Sequence, residues 1–255
     1  MKSETGTFWE HLDVLRWVIL RSLIVAVTFA VAAFCLKDWL FAVVLAPKSS
    51  DFITFRLLGV EPFSIHLMNT GLTEQFMIHM RVAMYAGLLC AAPYIIYELF
   101  RFVSPGLYAS ERRTGFWLVV SGYLMFMAGT LLNYLLIFPL TVRFLGTYQV
   151  SEEVANMLTI QSYIDTLISM SLVMGIIFEL PVVSAILGRI GLISASLMSR
   201  YRRHAIVAIL IVAAIITPTT DIFTLCIVSL PIWLLYEMSI GIVKIERIKN
   251  THTQH

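Results

Sequence analysis

TGFWLVVSGYLMFMAGTLLNYLLIFPLTV, residues 114–142, contains no charged side chain. Written as a helix at about 1.5 Å per residue, such a run exceeds the roughly 30 Å hydrocarbon thickness of a bilayer. The rest of the chain carries the same bias: 59% of its 255 residues are hydrophobic, 13% are charged, and the mean hydropathy is +0.85. Globular proteins average about 45–50% apolar and about 25% charged residues, so this chain cannot cover a water-facing surface. Disorder, collagen, coiled coil and a disulfide scaffold are excluded by the same comparison. The net charge of +2 gives no nucleic-acid-binding surface. The class is an all-α polytopic membrane protein.

Backbone groups in lipid must be paired within the segment, so helix-length gaps between charges mark the spans. They fall at approximately 17–36, 77–97, 116–138, 166–188, 205–217 and 222–236 of a single membrane domain covering 1–255. Arg21 lies one turn inside the first and can reach the headgroups. Pro93 is expected to kink the second, and Pro139 to end the third. The last two spans are separated by Thr217-Pro218-Thr219-Thr220-Asp221, a turn sequence that a lipid-exposed helix would not tolerate. Both are unusually short for the bilayer, so the membrane thins there or protein shields their ends.

With six spans and both termini cytoplasmic, twelve Lys and Arg residues fall in inner segments and four in outer ones; fusing the last pair would make this nine against seven. Six spans fit the inward bias of basic residues better. The first outer loop, about Lys37 to Gln75, carries an apolar segment ahead of Pro47 that suits the membrane surface. No internal repeat is present.

Enzymatic motifs are missing: there is no HExxH, GxSxG, P-loop or GxGxxG, and Asp165 and Asp221 lie at span edges rather than as a facing pair. Cys35, Cys90 and Cys226 show no metal-ligand or CxxC spacing and read as buried small apolar residues. His252 and His255 sit on a polar tail without further ligands. Neither a metal nor a cofactor is expected.

Two acids stand apart. Glu179, followed by Pro181, lies near the middle of the fourth span, where an acid costs about 2.5–3.5 kcal/mol on insertion scales. It is either a structural acid satisfied within the bundle or a functional one facing a cavity or a partner helix. Glu111 lies in a basic loop beside Arg112 and Arg113. It forms either a local ion pair of about 0–1 kcal/mol or a docking carboxylate for a cationic ligand, and periodicity does not decide between them.

Four stretches in order carry a family resemblance: Phe8-Trp9-Glu10-His11-Leu12-Asp13-Val14-Leu15-Arg16, Phe102-Val103-Ser104-Pro105-Gly106-Leu107-Tyr108 with Glu111-Arg112-Arg113, Phe178-Glu179-Leu180-Pro181, and Thr217-Pro218 with Asp221. Together they resemble TatC, the polytopic subunit of the twin-arginine protein translocase, over nearly the whole chain. The resemblance implies a bacterial inner-membrane protein that exports folded proteins using the proton-motive force. It implies binding of twin-arginine signal peptides at the cytoplasmic face, work with TatA- and TatB-type single-span partners, and a homo-oligomer within a larger complex.

By the same resemblance, Glu111 grips the paired arginines, with Asp13, Glu10, Arg16, Glu98 and Pro105 around it. Glu179 and Pro181 face partner helices, and Pro47, Pro218 and Asp221 have structural roles at the outer face. One departure stands out: Val14 occupies the place of a second recognition acid, and Asp13 or Glu10 is the available substitute, although one residue of shift turns a helical side chain by about 100°. A small proton- or cation-coupled transporter using Glu179 is the alternative, and an assembly scaffold without recognition activity is a third.

Overall fold

The computed structural model of the chain describes residues 8–59, 63, 65–103, 112–148, 158–217 and 221–252. It is almost entirely helical: α1 (Phe8–Phe34), α2 (Lys37–Leu45), α3 (Ile53–Leu57), α4 (Glu74–Val103), α5 (Arg112–Leu132), α6 (Phe138–Thr147), α7 (Ile160–Phe178), α8 (Leu180–Arg189), α9 (Ala195–Arg200), α10 (Arg202–Ile216) and α11 (Ile222–His252). Among the described residues five stretches are long and apolar enough to cross a membrane: Leu12–Phe34, Glu74–Phe102, Trp117–Thr147, Ile160–Arg189 and Ile222–Ile245. The α10 helix has 15 residues, about 22 Å, and is shorter than the hydrocarbon layer. The chain divides into two compact units, residues 1–41 with 76–123 and residues 42–75 with 124–255.

In the first unit α1 and α4 run antiparallel in close contact. Phe34 stacks on His79 with ring centroids 4.0 Å apart, and Arg21 approaches Glu98 at the far end. Between those points a Cβ on Gly87 would sit 2.5 Å from the Ala30 nitrogen and 2.7 Å from the Ala26 carbonyl oxygen. Only a glycine lets the two backbones approach this closely, a packing device of membrane helices that compensates for the lack of a hydrophobic force between them.

The second unit is organised around α5, α6 and α7. Gly129 and Gly175 let α5 and α7 touch, since a Cβ at either would lie within 3 Å of the facing helix. The end of α2 is tied to these helices by two tyrosines: Tyr134 donates to the Val43 carbonyl at 2.7 Å and Tyr163 to that of Val44 at 3.1 Å. A short parallel pairing of Leu67–Met68 with Leu158–Thr159 precedes α7, whose first turn is capped by the Thr159 hydroxyl accepting from the Ser162 amide. At the other end Gly188 packs on Val243, and Arg202 pairs with Glu237 at 2.8 Å.

Three expectations need correction. Pro139 does not end its helix: a π-helical turn, Asn133–Ile137, joins α5 directly to α6, which continues to Thr147. A proline inside a helix leaves the carbonyl four residues earlier without its amide partner, here that of Leu135. The buried Thr54 hydroxyl donates to that Leu135 carbonyl and makes good the loss. Of the last two helices only α10 is short, because α11 is 31 residues long and continues beyond its most apolar stretch to His252. Helix formation requires no apolar face once the chain leaves lipid, so Glu237 does not stop it. The three cysteines are exposed rather than buried, which an apolar side chain tolerates where the surrounding solvent is lipid.

Thr54→Val should lower the thermal stability of the purified protein by about 1–3 kcal/mol, the cost of an unsatisfied buried carbonyl. The loss should shrink in a Pro139→Ala background, where residue 139 regains an amide hydrogen for Leu135. Equal losses in both backgrounds, measured as a double-mutant cycle, would disprove the compensation.

Candidate functional site

The expected recognition residues lie on the two arms of the first unit. Asp13 and Arg16 are exposed on α1, and Glu10 lies in its first turns. Glu98, near the end of α4, is 3% exposed, and its Oε1 accepts from Tyr94 Oη at 3.0 Å and lies 4.0 Å from Arg21 Nη1. The spacing of Tyr94 and Glu98, one helical turn, puts both on the face turned towards α1. Glu98 is thus an engaged carboxylate rather than one displayed to solvent. Glu111, Pro105 and Pro218 fall outside the described residues.

Glu179 lies inside the Ile160–Arg189 stretch, at a one-residue break in its helix. It is the hinge residue between α7 and α8, with φ −72° and ψ −12°, and its carbonyl accepts from the Val183 amide at 2.9 Å. Pro181, which lacks an amide hydrogen and is tolerated in the first turn of a helix, explains the restart at Leu180. The carboxylate is half-buried, and its Oε1 has no hydrogen-bond partner among the described residues.

The face of α7 leading to this hinge carries further polar groups. Ser171 accepts from Asn133 Nδ2 at 2.8 Å, Asn133 is fully buried, and a Cβ on Gly175 would meet the buried Thr130 hydroxyl at 3.0 Å. Residues 171, 175 and 179 recur every four positions, so they share one side of the helix. Asn133 and Ser171 were missed in the sequence. An asparagine in an uncharged run was the available signal.

At the remaining predicted positions, Pro47 is buried in a 3-10 turn that closes α2. Asp221 precedes α11, and its Oδ1 accepts from the Thr224 amide at 2.7 Å, an N-cap. Another acid, Glu74, closes the start of α4 by accepting from the Gly71 amide at 2.7 Å and the Thr70 amide at 2.9 Å. The sequence reading overlooked it, although the spacing from Thr70 and Gly71 matches a capping pattern. No group of three metal-ligating side chains occurs among the described residues.

These features define a polytopic helical membrane protein with a hinge acid in its apolar interior and charged groups gathered at helix ends. The sequence profile of the family described as Sec-independent protein translocase protein (TatC) matches residues 10–231, and the chain belongs to that family. Curated relatives of that description include those of Koribacter versatilis, 34% identical over 96% of this chain and 87% of the relative, and Deinococcus radiodurans, 31% identical over 96% and 88%. A protein described as TatCy from Bacillus subtilis is 29% identical over 96% of this chain and 91% of its own length.

Among solved structures, one titled "Crystal Structure of Twin Arginine Translocase Receptor- TatC" superposes with a TM-score of 0.78 at 29% identity, covering 93% of this chain and all of that one. The chain is a multi-pass protein of the bacterial inner membrane and a component of the Sec-independent translocase, and these likenesses do not favour the small-solute transporter reading.

Asp221→Ala should lower stability by about 0.5–2 kcal/mol through loss of the α11 cap, and Asp221→Asn should recover most of it. Thermal unfolding of the three proteins in one detergent measures both. An Asn variant as damaged as the Ala variant would show that the charge, not the cap, matters.

Proposed function

We propose that this chain is the receptor subunit that captures twin-arginine signal peptides at the cytoplasmic face of the membrane. With TatA- and TatB-type single-span proteins it then exports the folded cargo at the expense of the proton-motive force. The observation that carries this reading is the likeness to the twin-arginine translocase receptor along 93% of the chain. Six crossings with both termini inside accompany it, because the basic residues then collect on the cytoplasmic side.

The chemistry suits the ligand. A guanidinium is planar, permanently charged and able to pair bidentately with a carboxylate, whereas an ammonium is a point charge. Glu111 is the gripping acid, lying in the loop between α4 and α5 beside Arg112 and Arg113. Val14 cannot bind a guanidinium, so the exposed Asp13, one position away on α1, takes the place of a second acid. Glu98 acts indirectly, accepting from Tyr94 one turn earlier and so steadying the last turns of α4.

Glu179 has a different task. Its carboxylate at the α7–α8 hinge has an oxygen free to accept a hydrogen bond. A polar side chain on a partner's transmembrane helix would satisfy it and be spared contact with lipid in return. Site-specific crosslinking from residues flanking Glu179 should capture a TatA- or TatB-type helix, with yields reduced by Glu179→Ala and largely kept by Glu179→Gln. Crosslinks confined to the opposite face of α7 would exclude this role.

Binding of a labelled Arg-Arg signal peptide to the full chain in nanodiscs tests the receptor reading. Replacing the pair by Lys-Lys, or Glu111 by Gln, should each weaken binding about tenfold or more, the equivalent of one charge-assisted hydrogen bond. Equal binding of both peptides to the wild type would refute the assignment.

A further inference from the structure

Within the first unit, the early turns of α1 and the last turns of α4 enclose a cavity of about 250 Å³. Val14, Trp17, Arg21, Glu98, Arg101 and Phe102 line it. Among the described residues its walls are apolar apart from three ionic groups, and these do not balance: two guanidinium groups face one carboxylate. Glu98 is buried, receives a hydrogen bond from Tyr94, and stands 4.0 Å from Arg21. A charge-assisted hydrogen bond is about 2.7–2.9 Å long, so this pair is loose and leaves the donors of Arg21 largely unspent. The Arg21 side chain is 53% exposed, and Arg101 is also exposed.

The position of the cavity narrows the choice of ligand. It lies at the end of the apolar stretch of α4, which runs to Phe102, and in the first turns of that of α1, which begins at Leu12, so its mouth falls near the boundary between hydrocarbon and headgroups. Trp17 is 58% exposed, as an indole anchored at that boundary would be. A soluble cation finds a net positive site here, and a wholly apolar molecule would leave both guanidinium groups unanswered. A ligand with a phosphate at one end and a chain entering the lipid beneath it satisfies both.

We propose that this cavity binds the headgroup phosphate of an anionic phospholipid, with Arg21 and Arg101 as its ligands and Trp17 and Phe102 as the walls against its glycerol and upper acyl carbons. Basic pockets between transmembrane helices are suited to such headgroups. Glu98 sets the strength of the site by offsetting one of the two positive charges. Its removal therefore strengthens lipid binding, the opposite of what an acid that itself grips a guanidinium would do. The site is independent of which cargo the protein serves.

The test uses the full chain in phosphatidylcholine nanodiscs carrying a minor fraction of phosphatidylglycerol, with retained lipids identified by native mass spectrometry. The wild type should keep phosphatidylglycerol in preference. Arg21→Gln and Arg101→Gln should each reduce that preference about fivefold, the worth of one basic residue near the surface. Arg21→Lys should keep most of it, Glu98→Gln should raise it, and millimolar inorganic phosphate should displace none. No preference in the wild type, or an undiminished preference in Arg21→Gln at unchanged melting temperature, overturns the proposal. Displacement by inorganic phosphate would make this a soluble-anion site and overturns it too. A fall in preference in Glu98→Gln, accompanied by loss of Arg-Arg peptide binding, would make it a guanidinium pocket instead.

Discussion

A hydrocarbon solvent offers no hydrogen bonds, so each backbone group that a helix fails to pair must find a partner inside the protein. The irregular points of this structure are placed by that constraint. Where Pro139 deprives the Leu135 carbonyl of its amide, Thr54 reaches across from α3 to supply a hydroxyl. Where α11 begins, the Asp221 carboxylate accepts from the Thr224 amide, and at the start of α4 Glu74 accepts from the Thr70 and Gly71 amides of the segment before it. Breaks in helices within lipid are expensive, and at these three points a polar side chain meets the cost.

The same constraint separates the acids of the apolar interior into two kinds. Glu98 is enclosed, with a phenol and a guanidinium to answer it, and its work is done within the molecule. Glu179 sits at a hinge, half-covered, with an oxygen unanswered. An intramembrane acid with no internal partner is costly to keep unless something outside the chain pairs with it. Asn133 and Ser171 occupy the same face of the α5–α7 contact and pair with each other, which leaves Glu179 as the exposed end of that polar line.

Much of this was legible in the chain before folding. Charges cannot be hidden in lipid, so the gaps between them fall within long apolar helices among the described residues, and Asp221 stands directly ahead of α11. What was not legible depends on partners far apart in sequence. Nothing around Pro139 announces that Thr54 will rescue the helix beyond it. Nothing around Glu237 shows that α11 continues, because helix propensity in its charged tail leaves no apolar stripe. Arg21 falls one turn inside the first expected span and Glu98 just past the second, and only the antiparallel contact through Gly87 makes them a pair. Recognition residues read from motifs are a separate matter, since a motif identifies a side chain without saying what it faces.

The unequal lengths of the last two helices carry a mechanical consequence. Arg202, at the start of α10, pairs with Glu237, while Gly188, one residue before the end of α8, lies against Val243. Along α11 these two contacts are six residues apart, roughly 9 Å. The charged pair is therefore set deeper along α11 than the end of its neighbour α8. Its side chains are 48% and 29% exposed, so neither is sealed within protein, and Tyr236 donating to the Met198 carbonyl keeps α9 at the same level. A half-exposed ion pair needs water or headgroups around it. Such a pair at the start of α10 keeps a charged group at that end of a helix which, at 15 residues, is shorter than an undisturbed hydrocarbon layer.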